Sequence, residues 1–276
     1  MKKAPKQIST KASTAKPTIG VLASDSEASQ QALQRLMLRY NLLLLKDEKP
    51  SRLPKLKAIL ALGGDGFMLH VLHNFMDSNI PIYGMNCGSV GFLMNAYREE
   101  ELFERIKAAK PSAIHPLRMT ATTAEGEIET RWAVNEVSLI RSTAQAAHIR
   151  ISIDGAVRME EMIADGVLIA TPAGSSAYNV SVGGPIIPIR TEIIALTPIS
   201  PFRPRRWRGA LLPDRAGIRF DVLDSKKRPV SAVADFQRVK NVASVEVVRD
   251  KSRMVSLLFD PGHSLEDRLI KEQFLS

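Results

Sequence analysis

The apolar pattern of this chain changes character once, and that change limits the folds open to it. From residue 18 to about residue 110, short apolar runs alternate with stretches at helical spacing. Residues 19–23, 58–62 and 82–85 read as strands. Ala32, Leu36 and Tyr40 recur at helical spacing after the first of them, and residues 67–76 follow the second. A third helical stretch, 99–110, sets Leu102, Phe103 and Ile106 on one side. Ser24, with Glu27 three residues on, has the form of a capping box opening the first helix. Strands alternating with helices predict an α/β unit built on a parallel sheet. Beyond Pro111 and Pro116 the pattern is different. Runs at 117–122, 132–140, 149–153, 167–171, 218–223, 230–233 and 245–248 are short and β-rich, with Gly, Pro, Asp and Asn between them. No long helical period returns until residues 264–274. This half predicts a β-rich domain. The expected organisation is a disordered basic arm at 1–17, an N-terminal α/β domain at 18–115 and a β-rich domain at 116–262.

Charge and cysteine content narrow the class further. The net charge of +9 is concentrated in two places: five lysines with no acid in residues 1–17, and Arg203, Arg205, Arg206 and Arg208. The remainder is balanced, so a broad nucleic-acid-binding face is not expected. The basic arm reads as a solvated tail or, alternatively, as a contact for RNA or a membrane surface. No apolar run reaches the roughly 18 residues of a membrane helix, and no apolar stretch follows the basic N-terminus as a secretory signal requires. Cys87 is the only cysteine, which rules out an internal disulfide and fits a reducing compartment, the cytoplasm.

Three glycine-rich regions carry the chemistry. Gly63-Gly64-Asp65-Gly66 directly follows an apolar strand and precedes a helical stretch. Glycines there let the backbone approach a ligand, and the following helix start offers N–H donors to phosphate. An acid in a phosphate loop would repel its ligand, so Asp65 makes sense as a group that meets a metal ion or accepts a proton. The same four residues also make an ordinary tight turn. A second loop, Gly88-Ser89-Val90-Gly91-Phe92-Leu93, follows the next strand, and loops at the carboxyl ends of parallel strands line the ligand crevice. The third region runs from Asp165-Gly166 through Thr171, Ala173, Ser176, Ala177 and Tyr178 to Ser181 and Gly183-Gly184-Pro185. It packs hydroxyls and small residues beside a strand, leaving room for a flat ring and donors for ribose or phosphate. No G-x-x-x-x-G-K-[ST] loop, complete G-x-G-x-x-G fingerprint or G-x-S-x-G elbow is present, which argues against a P-loop kinase, a Rossmann dehydrogenase and an α/β-hydrolase.

In this order, and together with Asn135-Glu136 and the stretch Ala195-Leu196-Thr197-Pro198-Ile199-Ser200-Pro201, these regions resemble the bacterial NAD kinase family, from about residue 18 to about residue 262. The resemblance implies an N-terminal α/β domain that supplies the Asp65 loop and a C-terminal β-sandwich-like domain that binds much of the dinucleotide. It also implies a tail, residues 263–276, that packs back on the first domain, and a homodimer or homotetramer. Asp65 is then the base and metal-proximal carboxylate, with Gly63, Gly64 and Gly66 forming the phosphate loop. Asn135 and Glu136 hold the ribose and nicotinamide side, and Asp165 contacts the nicotinamide side. Ser176, Ala177, Tyr178 and Ser181 line the adenine and ribose pocket. Phe92 and Ala173 belong to the same NAD site. His70, His148 and Gln237 fall at secondary contact positions; either histidine can equally be a partly exposed residue without a ligand. The chain departs from the family at Ala173, where a Thr is common, at Ser176, which replaces another Thr, and at Phe236, where Gly is usual. The implied reaction moves the γ-phosphate of ATP to the 2′-hydroxyl of NAD, with Mg²⁺ as the expected ion and polyphosphate as a further donor. The arginines at 203–208 would attract that donor, or would form a solvated loop over Trp207. Two rival readings share the first loop: a lipid or other small-molecule kinase, and a non-catalytic dinucleotide sensor.

Overall fold

The computed structural model describes residues 18–45, 55–88 and 91–274. The basic arm at 1–17, and Ser89 and Val90 of the second loop, lie outside the described residues. The first part of the chain forms β1 (Ile19–Ala23), α1 (Glu27–Arg39), β2 (Leu43–Leu44), β3 (Ala58–Gly63), α2 (Asp65–Phe75), β4 (Ile82–Asn86), β5 (Asn95–Ala96), α3 (Leu102–Ala108) and β6 (Lys110–Ile114). Then come β7 (Leu117–Thr123), β8 (Ile128–Ala133), β9 (Glu136–Arg141), β10 (Ala147–Ile153), β11 (Ala156–Ala164), β12 (Gly166–Ala170) and α4 (Tyr178–Ser181). The chain continues with β13 (Ile193–Ile199), β14 (Ala210–Pro213), β15 (Ile218–Leu223), β16 (Val230–Ala234), β17 (Gln237–Val239) and β18 (Val242–Arg249). It ends with β19 (Val255–Phe259) and α5 (Leu265–Glu272).

The first sheet runs β2-β1-β3-β4-β19-β6, with β5 also on β4. It is mixed rather than purely parallel, because β6 pairs antiparallel to β19. Helices cover both faces. Ala32 and Leu36 of α1 and Leu102 of α3 pack on one, while α2 and α5 pack on the other through Met68, Val71, Leu72, Phe75, Leu265 and Leu269. Leu265 and Leu269, one turn apart on α5, are both 0% exposed, and each contributes about 1.5–3 kcal/mol by leaving water. Ser264 caps this helix in a capping box with Asp267.

Two six-stranded antiparallel sheets, β11-β10-β15-β18-β7-β8 and β14-β13-β12-β9-β16-β17, form a sandwich. Alternate residues point inward from both, among them Met119, Leu139, Ile151, Val167, Phe220 and Val245, as the period of two in a half-buried strand requires.

Five further expectations are corrected. The β-rich domain at 116–262 does not keep its last strand: β19 leaves the sandwich and enters the first sheet between β4 and β6. Its Val255, Leu257, Leu258 and Phe259 are all buried, which suits a strand covered on both faces. The run 132–140 is two strands in different sheets, interrupted at Val134-Asn135. The first helix is capped by Ser26, not Ser24, because the Ser24 amide is still bonded to Leu62 O at 2.9 Å as an extension of the sheet. Helix α3 is shorter than 99–110, since Glu101 is left-handed (φ 52°) and stops the helix from starting earlier. Helix α2 starts at Asp65 rather than Phe67, and this places Asp65 in its first turn.

Candidate functional site

The site is assembled around the start of α2. Gly63 ends β3 and Gly64 is the N-cap, without a side-chain cap bond. The first intrahelical bond is Met68 N to Gly64 O at 2.9 Å, so the amides of Asp65, Gly66 and Phe67 have no partner within the helix. Asp65 is half-buried. Its carboxylate accepts from Phe92 N (Oδ2, 2.5 Å) and Leu93 N (Oδ1, 2.9 Å), which ties the first glycine loop to the second. Gly91 allows this approach: a Cβ there would stand 2.8 Å from Asp65 Oδ1. From the far side, Arg268 of α5 donates Nη1 to Gly91 O at 2.9 Å and Phe92 O at 3.0 Å.

The third region approaches from the sandwich. Thr171 N bonds Asn135 O at 2.9 Å, and Thr171 Oγ1 donates to Val134 O at 2.8 Å and accepts from Gly174 N at 3.0 Å. Gly174 is packed so closely that a Cβ would meet Asn135 Cα at 2.4 Å. Ser175 and Asn179 are buried and bonded within the same segment, to Pro172 O, Ser175 O and Pro185 O. The hydroxyls therefore divide: Thr171 and Ser175 build the loop, and Ser176 is left facing the site.

Asp65, Gly66, Phe92, Asn135, Ala173, Ser176 and Ala177 line one cavity of about 200 Å³, completed by Leu69 and Leu93. The other predicted residues lie around it or away from it. Glu136 adjoins Asn135; its carboxyl is pushed up to about 8 by burial and then by the charge of Asp235. Tyr178 is close enough to Glu136 and Asp165 for both to raise its pKa, after burial. Asp165 is in an ion pair with Arg141. His70 is exposed and stacks on Phe236 with ring centroids 3.9 Å apart. Ser181 is exposed, its hydroxyl donating to Ala177 O at 3.4 Å. Gln237 opens β17 opposite Ala234. His148 stands on the other sheet, bonded to Glu161 at 2.8 Å. The arginines at 203–208 do not line the cavity, and Trp207 packs on the sandwich core.

A larger cleft of about 550 Å³, lined among others by His115, Arg190, Asp214, Arg249 and Lys251, shares none of these residues. Its buried acid Asp214 is paired to Arg249 and Lys251. Sequence reasoning missed Arg268, His73 and the part played by Asp235. His73 carried a signal, since it lies three residues after His70 and so shares its helix face; Arg268 carried none.

Residues 20–110 match the family model of the ATP-NAD kinase N-terminal domain, and residues 134–249 match that of the ATP-NAD kinase C-terminal domain. A protein of Cereibacter sphaeroides named NAD kinase is 54% identical over 257 residues, covering 93% of this chain and 98% of that protein. Another from Caulobacter vibrioides, with the same name, is 54% identical over 251 residues, covering 91% and 94%. In fold the chain is similar to yeast NADH kinase complexed with NADH, with a TM-score of 0.78 at 21% identity over 94% of this chain and 87% of that one. It is also similar to an NAD kinase from Archaeoglobus fulgidus in complex with ATP, with a TM-score of 0.72 at 22% identity over 94% and 99%. With both family models matched in tandem, and relatives sharing more than half their residues along nearly its whole length, this chain belongs to the ATP-NAD kinase family.

Proposed function

We infer that this chain transfers the γ-phosphate of ATP to the 2′-hydroxyl of the adenosine ribose of NAD, giving NADP, with Asp65 as the proton acceptor. The observation that carries this reading is the cavity in which the Asp65 carboxylate meets Asn135, Ser176 and Ala177. At about 200 Å³ it suits a ribose-sized group, not a dinucleotide. The rest of NAD then runs over the open face past Glu136, Asp165 and Tyr178, with Phe92 and Ala173 against the ribose. Ser181 is assigned to the adenine and ribose pocket, and His70 and Gln237 to secondary contacts at the rim; His148, on the other sheet and bonded to Glu161, has no place at this cavity.

Phosphoryl transfer asks the protein mainly to position the reactants and to neutralise charge. The unpartnered amides at the start of α2 supply donors for the phosphate chain. Asp65 accepts two backbone hydrogen bonds, and a carboxylate has about four acceptor sites, so it can also take the proton of the 2′-hydroxyl. Ser176 supplies a hydroxyl to the acceptor ribose. Among the described residues no cluster of three or more acidic, His or Cys side chains could cage a metal. One carboxylate beside a phosphate loop fits instead an ion carried chiefly on substrate phosphates, as Mg²⁺ usually is. Asp65 would hold it, and when bound it would offset the phosphate charge. We assign the protein to the cytoplasm as a homodimer or homotetramer, using ATP or polyphosphate; among the described residues no helix is long and apolar enough to cross a membrane.

The test is NADP formation from NAD, ATP and Mg²⁺, with Asp65→Asn as control. The variant is expected to fold and to lose at least about 10²-fold in kcat. A fully active variant removes Asp65 as acceptor. A wild type that makes no NADP with any phosphoryl donor removes the kinase reading.

A further inference from the structure

Asp235 lies in the turn between β16 and β17 with φ 54° and a side chain that is 0% exposed. A carboxylate so deeply buried requires hydrogen-bond donors. It has four. Oδ1 accepts from Asn135 N (2.9 Å) and Glu136 N (3.2 Å), and Oδ2 accepts from Val134 N (2.7 Å) and His73 Nε2 (2.7 Å). Three of these are consecutive backbone amides, two in the break between β8 and β9 and one on the first residue of β9. The fourth belongs to another unit of the fold. His73 is on α2, about two turns after Asp65, and is 8% exposed. Asp235 N also donates to Glu136 O at 3.0 Å, so the turn grips the segment through its backbone as well. Phe236 closes the arrangement, its ring 3.9 Å from that of His70 and 4.8 Å from that of His73.

One carboxylate therefore joins two things the reaction needs in register: the segment bearing Asn135 and Glu136, and the helix that opens with Asp65. We propose that Asp235 and His73 form a positioning pair that holds the NAD-binding segment 134–136 against α2, so that the acceptor ribose is presented to Asp65. Neither residue lines the cavity; both act through the residues they hold. This inference rests on the kinase reading. It also bears on one phosphoryl-transfer substrate more than the other, because the held segment faces the acceptor and the donor phosphates meet the start of α2.

His73→Phe keeps an aromatic ring against Phe236 and removes both ring nitrogens, and with them the Nε2 donor to Asp235. The three amide donors to Asp235 remain, and α2 keeps Met68, Val71, Leu72 and Phe75 in the core. Steady-state NADP formation with each substrate varied, measured well below the melting midpoint, is expected to show kcat/KM for NAD reduced about 10–100-fold. The KM for ATP should stay within about twofold. His73→Gln, which restores a donor near the Nε2 position, should recover most of the loss. If His73→Phe folds poorly, His73→Leu is measured in the same way. Unchanged kcat/KM for NAD overturns the proposal. So does an equal loss for NAD and ATP that Gln does not rescue, since that is the mark of a merely structural residue. A wild type inactive in the same assay points to failure of the kinase reading instead.

Discussion

Glu136 has a carboxyl oxygen, Oε2, that is buried without a hydrogen-bond partner among the described residues. Burial, and after it the negative charge of Asp235, holds its pKa at about 8 against an ordinary value of 4.5. A folded-state pKa raised above the unfolded one favours the folded state at low pH. The contribution is fully present below about 4.5 and is lost as pH rises through about 8. Melting temperature should therefore fall over this window, and Glu136→Gln, which cannot ionise, should flatten the slope. Above about pH 8 the variant should be the more stable protein by about 1–3 kcal/mol. Thermal melts of the two proteins across that range test this, and parallel curves would remove the buried ionisation. In the proposed complex the neutral carboxyl also has an O–H to give to a ribose hydroxyl, a donor that the amide of Glu136→Gln keeps, so NAD binding by the variant should stay near that of wild type below about pH 8.

At the scale of elements, α5 is a short helix that bears on the candidate site. Its apolar face is buried by Leu265 and Leu269, and this seating brings Arg268 onto the carbonyls of Gly91 and Phe92. The amides of Phe92 and Leu93 in turn hold Asp65. The helix thus reaches the Asp65 carboxylate through the second glycine loop without touching the cavity. Arg268→Ala removes both bonds and should lower kcat by about tenfold or more, while the Leu265 and Leu269 contacts keep the helix in place. Arg268→Lys retains a donor and should fall between. Kinetics of both variants beside wild type decide the matter; an alanine variant with wild-type kcat would show that the loop needs no support from α5.

The whole molecule is two layered units that the chain does not keep separate. It passes from the first sheet into the sandwich after β6 and returns through β19, which sits between β4 and β6. Val134 and Ala173, from the sandwich half, are 0% and 3% exposed inside the core formed by α2 and α5. Units tied by a shared core and a returning strand should unfold together. One calorimetric transition is expected, coincident with loss of activity. Leu257→Ala, which empties a 0% exposed position in β19, should lower stability by about 2–5 kcal/mol and shift that single transition as a whole. Two resolved transitions, with only one moved by the substitution, would mean that β19 does not couple the units.

What could be read from the sequence was local. The strands at 19–23 and 218–223 lie where their apolar patterns predict, because a short continuous apolar run or an alternation of two depends only on neighbouring residues. The division into α/β and β-rich halves was legible for the same reason. Asp65, Gly66, Phe92, Asn135, Ala173, Ser176 and Ala177, which share a cavity, are legible in the residue types of the glycine loops and in the family resemblance. What only the tertiary structure decided was non-local. Residues 255–259 form a strand because β4 and β6 stand on either side of them. The run 132–140 breaks at 134–135 because a carboxylate about a hundred residues later takes the amides that a continuous strand would have bonded. Helix α2 begins at Asp65, not Phe67, where the second glycine loop has its amides waiting for that side chain. Hydrophobic periodicity carries no information about which distant group will satisfy a buried charge or an open backbone donor. In this protein, those satisfactions set the geometry of the site.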